Sequence, residues 1–164
     1  MAGRGCTPEN SHDLSRLPVR FYGQVQEFSS GCRVTKELLR QLPEDGRLYS
    51  IELNEEFIPQ LKHIPDKRLS VIRGDVLEMA GRLHELAPGG VDAVVSGIPF
   101  SFLGVKQKRE IVEKTSRALR SEGRFIVYQN SLKMKDILRY YFGPVHFFFG
   151  PRNVFPYFIL VAIR

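Results

Sequence analysis

Tryptophan is missing from this 164-residue chain, and cysteine occurs only twice, as Cys6 and Cys32. Two cysteines cannot build the disulfide framework of a small secreted domain and have no metal-ligand spacing, so free thiols are expected. The four histidines, His12, His63, His84 and His146, are scattered, and no metal site is expected from them. Long apolar runs are lacking too: nothing approaches the roughly 20 residues that cross a bilayer as a helix. The opening MAGRGCTPENSHDLSR has no hydrophobic secretory core. A soluble intracellular protein is therefore expected, without internal repeats or low-complexity tracts.

Acidic residues are the scarcer sign. Against 24 Lys plus Arg stand 18 Asp plus Glu, leaving a net charge of +6. Such an excess favours anionic partners, either nucleic acid or an acidic membrane surface, and serves solubility equally well. The length suits one domain with its own core. A 43% hydrophobic share is that of a globular chain rather than a disordered one.

Residues 1–20 are polar, carry Gly3, Gly5, Pro8 and Pro18, and show no period, which reads as a flexible arm before a domain over 21–164. Strands are expected at Phe21–Phe28, Arg47–Leu53, Leu69–Arg73, Val91–Val95 and Phe125–Tyr128, with helices at Val34–Leu42, Ile58–His63, Val76–Leu86, Val105–Leu119 and Leu132–Phe142. Two apolar strands close in sequence, Val145–Phe149 and Tyr157–Ile163, end the chain as an antiparallel pair. Alternating strands and helices closed by a hairpin mean an α/β fold: a mostly parallel sheet, helices on both faces, and an antiparallel edge.

The most informative stretch is VDAVVSGIPFSF at 91–102. Its β-branched start suits a strand buried on both faces. Ser96, Gly97 and Pro99 then reverse the chain, yet Ile98, Phe100, Phe102 and Leu103 follow at once in a loop that should be solvated. Those side chains either pack back into the core or wall a pocket at the carboxyl end of a central strand, where open α/β sheets bind ligands. Acids recur at the ends of the first three strands: Glu27 before Ser29-Ser30-Gly31, then Glu52, then Asp75. Each alone can be a cap or a solvated turn. In series they suit a nucleoside, with small residues at a charged tail, one acid at the ribose hydroxyls and a polar group at the base.

With LYSIELN at 48–54, VIRGDVLEM at 71–79, VDAVVSGIPF at 91–100, LRSEGRFIVYQ at 119–129 and NVFPYFILVAIR at 153–164, the chain resembles the class I S-adenosylmethionine-dependent methyltransferases. Within them it is similar to the small bacterial phospholipid N-methyltransferases related to ribosomal RNA adenine dimethylases. The resemblance implies a Rossmann-like, doubly wound fold and S-adenosyl-L-methionine as cofactor. By position it implies Glu52 at the ribose, Asp75 at the adenine amine, and Glu27 and Gly31 on the methionine side. Ser29, Leu53, Val76 and Ser96 complete the implied cofactor set, and Ser96, Gly97, Ile98, Pro99 and Phe100 would flank the methyl group. Tyr128, Tyr157 or solvent would take the acceptor's proton, and no metal is implied.

The RNA enzymes of that group usually carry an Asn-Leu-Pro-Tyr type loop, where this chain has Ser96 and Phe100. A pocket without that amide suits an amine on a lipid headgroup better than a flipped base. Phosphatidylethanolamine methylation by a cytoplasmic protein resting on the inner membrane surface is therefore the leading expectation, with an rRNA adenine N6-methyltransferase as the alternative. A third reading, an inactive methyltransferase-like domain that binds a membrane or a protein, comes from the first loop. The family pattern of acid and three alternating glycines is reduced here to Glu27, Phe28, Ser29, Ser30, Gly31, Cys32, Arg33, and a bulky cation stands where backbone should approach the ligand.

Overall fold

A computed structural model describes residues 24–28, 31–150 and 157–164, with the side chains of 24, 26–28, 31 and 150 left out of the description. The expected amino-terminal arm, the first residues of the expected first strand, and Ser29 and Ser30 lie outside the described residues. In chain order the elements are β1 (Gln24–Phe28), α1 (Gly31–Gln41), β2 (Arg47–Glu52), α2 (Ile58–Lys62), β3 (Leu69–Arg73), α3 (Val76–Met79), α4 (Leu83–Leu86) and β4 (Val91–Ser96). They continue with α5 (Val105–Ala118), β5 (Leu119–Gln129), α6 (Lys135–Phe142), β6 (Val145–Gly150) and β7 (Tyr157–Ile163). The strands form one sheet in the order β3-β2-β1-β4-β5-β7-β6, parallel through β5 and antiparallel at β7 and β6. The α/β class, the parallel sheet and the terminal hairpin are as the sequence leads one to expect.

Each face of the sheet carries its own apolar layer. Val25, Leu48, Val95 and Ile126 meet Val34 and Leu38 of α1 on one side. On the other, Val94, Phe125 and Val127 meet Ile111 and Val112 of α5 and Leu138 of α6. The strand residues alternate between these layers because successive side chains point to opposite faces. That double coverage is why β4 reads as an unbroken apolar run.

Beyond shifted helix starts, at Gly31 rather than Val34 for α1 and at Lys135 rather than Leu132 for α6, two elements differ from expectation. The single helix expected at Val76–Leu86 is broken into α3, a 3₁₀ turn over Ala80–Arg82, and α4. Gly81 sits at the break and is a weak helix former. The side chain of Lys114 from α5 packs over it, and Lys114 Nζ donates to the Leu77 carbonyl at 3.2 Å. The second difference is β5, which begins directly at the end of α5 rather than after Gly123. A register shift opposite Val91 and Ala93, with Glu122 at φ 60°, absorbs the irregular start. Arg164 secures it, its guanidinium donating to the carbonyls of Arg117 and Leu119.

Cys32 is buried in α1 and disulfide-bonded, so the free-thiol expectation fails at this position, and Cys6 lies outside the described residues. No helix among the described residues is long and apolar enough to cross a membrane.

The carboxyl end of α1 leaves carbonyls without helical partners. Arg68 supplies the donors: its guanidinium reaches Leu39 O and Leu42 O, each at 2.8 Å, and Asp66 Oδ2 at 2.7 Å. The hydrogen bond from Arg68 holds the Asp66 carboxyl at about 2, below its ordinary 3.8. Because the folded-state value is depressed, the stabilisation is complete above about pH 4 and is lost as pH falls through about 2. Asp66→Asn should cost roughly 1–2 kcal/mol at pH 7, and urea unfolding at pH 7 and near pH 2 should show that difference shrinking at the lower pH.

Candidate functional site

In the sheet order, the chain leaves β1 for β2 on one side and returns beside β1 as β4 on the other, so the crossover direction reverses at β1. Such a reversal leaves a crevice at the carboxyl ends of the strands that no connection covers. Register keeps those ends level. Ile72, Ile51, Phe28, Ser96 and Val127 lie side by side across β3, β2, β1, β4 and β5. Everything that follows these residues in the chain emerges on one rim.

A cleft of about 230 Å³ opens there, lined by Ile51, Leu53, Gly74, Asp75, Val76, Ile98, Pro99, Phe102 and Leu103. It draws on the ends of β2, β3 and β4 and has mainly apolar walls. Glu52 ends β2 and is only 2% exposed; its Oε1 accepts the Asn54 N–H at 2.8 Å. That bond turns the chain sharply and leaves Leu53, 58% exposed, on the cleft wall. Asp75 follows β3 and caps α3, with Oδ1 accepting the Leu77 N–H at 2.7 Å. A carboxylate has several acceptor positions, so this cap leaves capacity for a further donor. Arg73 and Glu55 pair at 2.5 Å between the chain segments leaving β3 and β2.

The expected site residues do not all fall on the cleft. Leu53, Asp75, Val76, Ile98 and Pro99 line it. Glu27 is at the carboxyl end of β1, paired with Ser50 and Val95, and its side chain is outside the description. Gly31 is the first residue of α1, so only positions 29 and 30 separate strand from helix. Arg33, half-buried on the first turn of α1, is not among the cleft residues. Phe100 is corrected from pocket wall to core: it is fully buried in the layer under α5. Its place on the cleft is taken by Phe102, 86% exposed. The 3₁₀ turn over Phe100–Phe102 makes this division by sending the two rings apart.

Ser96 and Gly97 set the turn without lining the cleft. Ser96 ends β4 fully buried, and its Oγ has no hydrogen-bond partner among the described residues. Gly97 packs against Tyr128 of β5: a Cβ built on Gly97 would lie 2.1 Å from the Tyr128 hydroxyl oxygen. Any side chain there must displace the ring. This close approach, and the part of Gly74 in the cleft, were not read from the sequence. At Gly74 the comparable clash is with Met79 Cγ at 2.7 Å, and a glycine directly after a strand was the available signal.

No family model matches the sequence. Solved structures show the fold. A precorrin-6y C5,15-methyltransferase from Geobacter metallireducens superposes with a TM-score of 0.68 at 18% identity, over 92% of this chain and 86% of that one. The N-methyltransferase NodS from Bradyrhizobium japonicum, in complex with S-adenosyl-L-homocysteine, gives 0.65 at 12% identity over 87% and 78%. An rRNA methylase from Streptococcus thermophilus gives 0.61 at 12% identity over 87% and 87%. The chain has the Rossmann-like fold of the class I methyltransferases.

Gly97→Ala is expected to lose roughly 2–3 kcal/mol in denaturant unfolding, and adding Tyr128→Leu should recover part of it by vacating the space. Ser96→Ala, which removes an unpartnered buried hydroxyl, should leave the melting temperature unchanged or raise it.

Proposed function

We propose that this protein is an S-adenosylmethionine-dependent N-methyltransferase whose acceptor is the amine of a phosphatidylethanolamine-type headgroup. The single observation that carries this reading is that Asp75 and the Ile98–Leu103 turn wall one cleft with mainly apolar sides, and that Glu52, buried and not itself a lining residue, ends β2 on the same rim between the lining residues Ile51 and Leu53. A purine is sandwiched well by such walls, here Leu53 and Val76 with Ile98 and Pro99. Glu52 would accept the ribose hydroxyls and Asp75 the adenine amine. When bound, the cofactor supplies an electrophilic methyl group on sulfonium.

The chain's own contribution is to orient and to exclude water. An amine attacks only when neutral, so its proton must first pass to an acceptor. Of the acceptors considered for this, solvent at the open cleft mouth is the one in reach, because the Tyr128 phenol is buried against Gly97 and off the cleft wall. Aromatic walls also hold a growing alkylammonium by cation–π attraction, and exposed Phe102 at the cleft is the ring available for this. The lipid acceptor is favoured over RNA because Ser96 supplies no amide to hold a flipped base and Phe100 is buried, although exposed Phe102 does offer a ring at the cleft.

Titration calorimetry with S-adenosylmethionine tests the cofactor half: no heat at millimolar ligand overturns it. Glu52→Gln keeps the size and an acceptor for Asn54 but removes the charge, and should weaken binding about 10- to 100-fold. Methyl transfer to phosphatidylethanolamine vesicles supports the acceptor, whereas transfer to ribosomal RNA alone overturns it.

A further inference from the structure

The loop that walls the cleft runs directly into α5, and its outer surface combines two features that are costly on a free protein. Phe102 is 86% exposed and Val105 61% exposed, with half-buried Leu103 between them. Adjoining exposed apolar side chains of this size mark contact surfaces. Directly after them, Lys106, Lys108 and Arg109 crowd the start of α5, whose first turn holds no acid. The amino end of a helix is its positive pole, so cations there are held against the helix dipole.

Neighbouring acids relieve this only in part. Glu110 lies 2.6 Å from Lys114 and Glu113 lies 2.6 Å from Arg117, and the hydrogen bond from Lys114, with a smaller pull from the Lys106 charge, holds the Glu110 carboxyl below its usual range. Lys106, Lys108 and Arg109 make no ion pair among the described residues. Three cations without a close ion pair, beside a greasy strip, suit an anionic partner with an apolar layer beneath its charge. Nucleic acid meets the first condition, and Phe102 offers one ring to a base, but aliphatic Leu103 and Val105 continue no stacking track beside it.

We propose that Phe102 to Arg109 is the docking surface for an anionic lipid bilayer. Phe102 and Val105 enter the boundary between headgroups and acyl chains, while Lys106, Lys108 and Arg109 meet lipid phosphates and carboxylates. Phe102 and Leu103 belong to both this surface and the cleft, so docking lays the cleft mouth against the headgroups. The use made of that orientation rests on the methyltransferase reading, but the contact itself does not require the cofactor.

The test is sedimentation of the full chain with phosphatidylcholine vesicles, with and without phosphatidylserine. Wild type should pellet with the anionic vesicles and be released by salt. Lys106→Gln/Lys108→Gln/Arg109→Gln, with 106 and 109 exposed and 108 half-buried, should lower the partition coefficient roughly fivefold per cation and about a hundredfold together. Phe102→Ser should lower it about tenfold while leaving the salt dependence intact. Circular dichroism confirms that each variant is folded.

The surface is overturned if wild type ignores anionic vesicles, if the triple variant or Phe102→Ser binds like wild type, or if an RNA oligonucleotide displaces the vesicles through the same three cations. Calorimetry with S-adenosylmethionine on the same preparation separates the two readings. Cofactor heat without vesicle binding removes the surface alone, and vesicle binding without heat removes the methyltransferase reading alone.

Discussion

The double pairing of β1 is the constraint on which the rest depends. By hydrogen-bonding to β2 on one side and β4 on the other, always parallel and level at Phe28, it forces the segments after β2, β3 and β4 to leave the sheet on the same rim. Glu52, Asp75 and the turn after Ser96 are far apart in sequence, and only this shared register makes them neighbours. A crevice is then unavoidable, since the crossovers run away from β1 in opposite directions.

What fills the crevice follows from how the local polar groups are satisfied. Glu52 is buried, and its bond to the Asn54 N–H turns the chain so that Leu53 faces the cleft. Asp75 caps a helix of a single turn and still stands at the cleft wall. In the turn, close packing rather than hydrogen bonding sets the path: Tyr128 occupies the space a side chain at 97 would need, and Phe100 is drawn fully into the core. Phe102, two residues on in the same 3₁₀ turn, is left outside, and it brings a large apolar surface to the entrance beside a cluster of cations.

Much of this was legible because it is periodic. The strands β2, β3 and β7 and the helix α5 follow from alternation or from a three-and-four spacing, and their bounds agree with the sequence to within one residue. The helix at Val76–Leu86 was not legible, because its interruption depends on Lys114 arriving from α5 over Gly81. The early start of β5 was equally hidden, since pairing of Val91 with Leu119 and the hold of Arg164 on Leu119 come from strands remote in sequence. At the cleft, Leu53, Asp75, Val76, Ile98 and Pro99 were foreseeable, as they follow strand ends, whereas Phe100 and Phe102 carried the same two alternatives in the sequence and the structure gives core to one and cleft wall to the other.

By itself the sequence determined the alternation of strands and helices, the burial of β4 on both faces, the acids at strand ends and the excess of positive charge, because each is a property of neighbouring residues. Only the tertiary structure decided which ring of the Phe100–Phe102 pair is core and which is cleft wall, why position 97 must be glycine, and that the cations at the start of α5 stand without close ion pairs beside an apolar rim. Those are matters of excluded volume and of charge proximity between segments, and neither quantity exists until the chain has closed on itself.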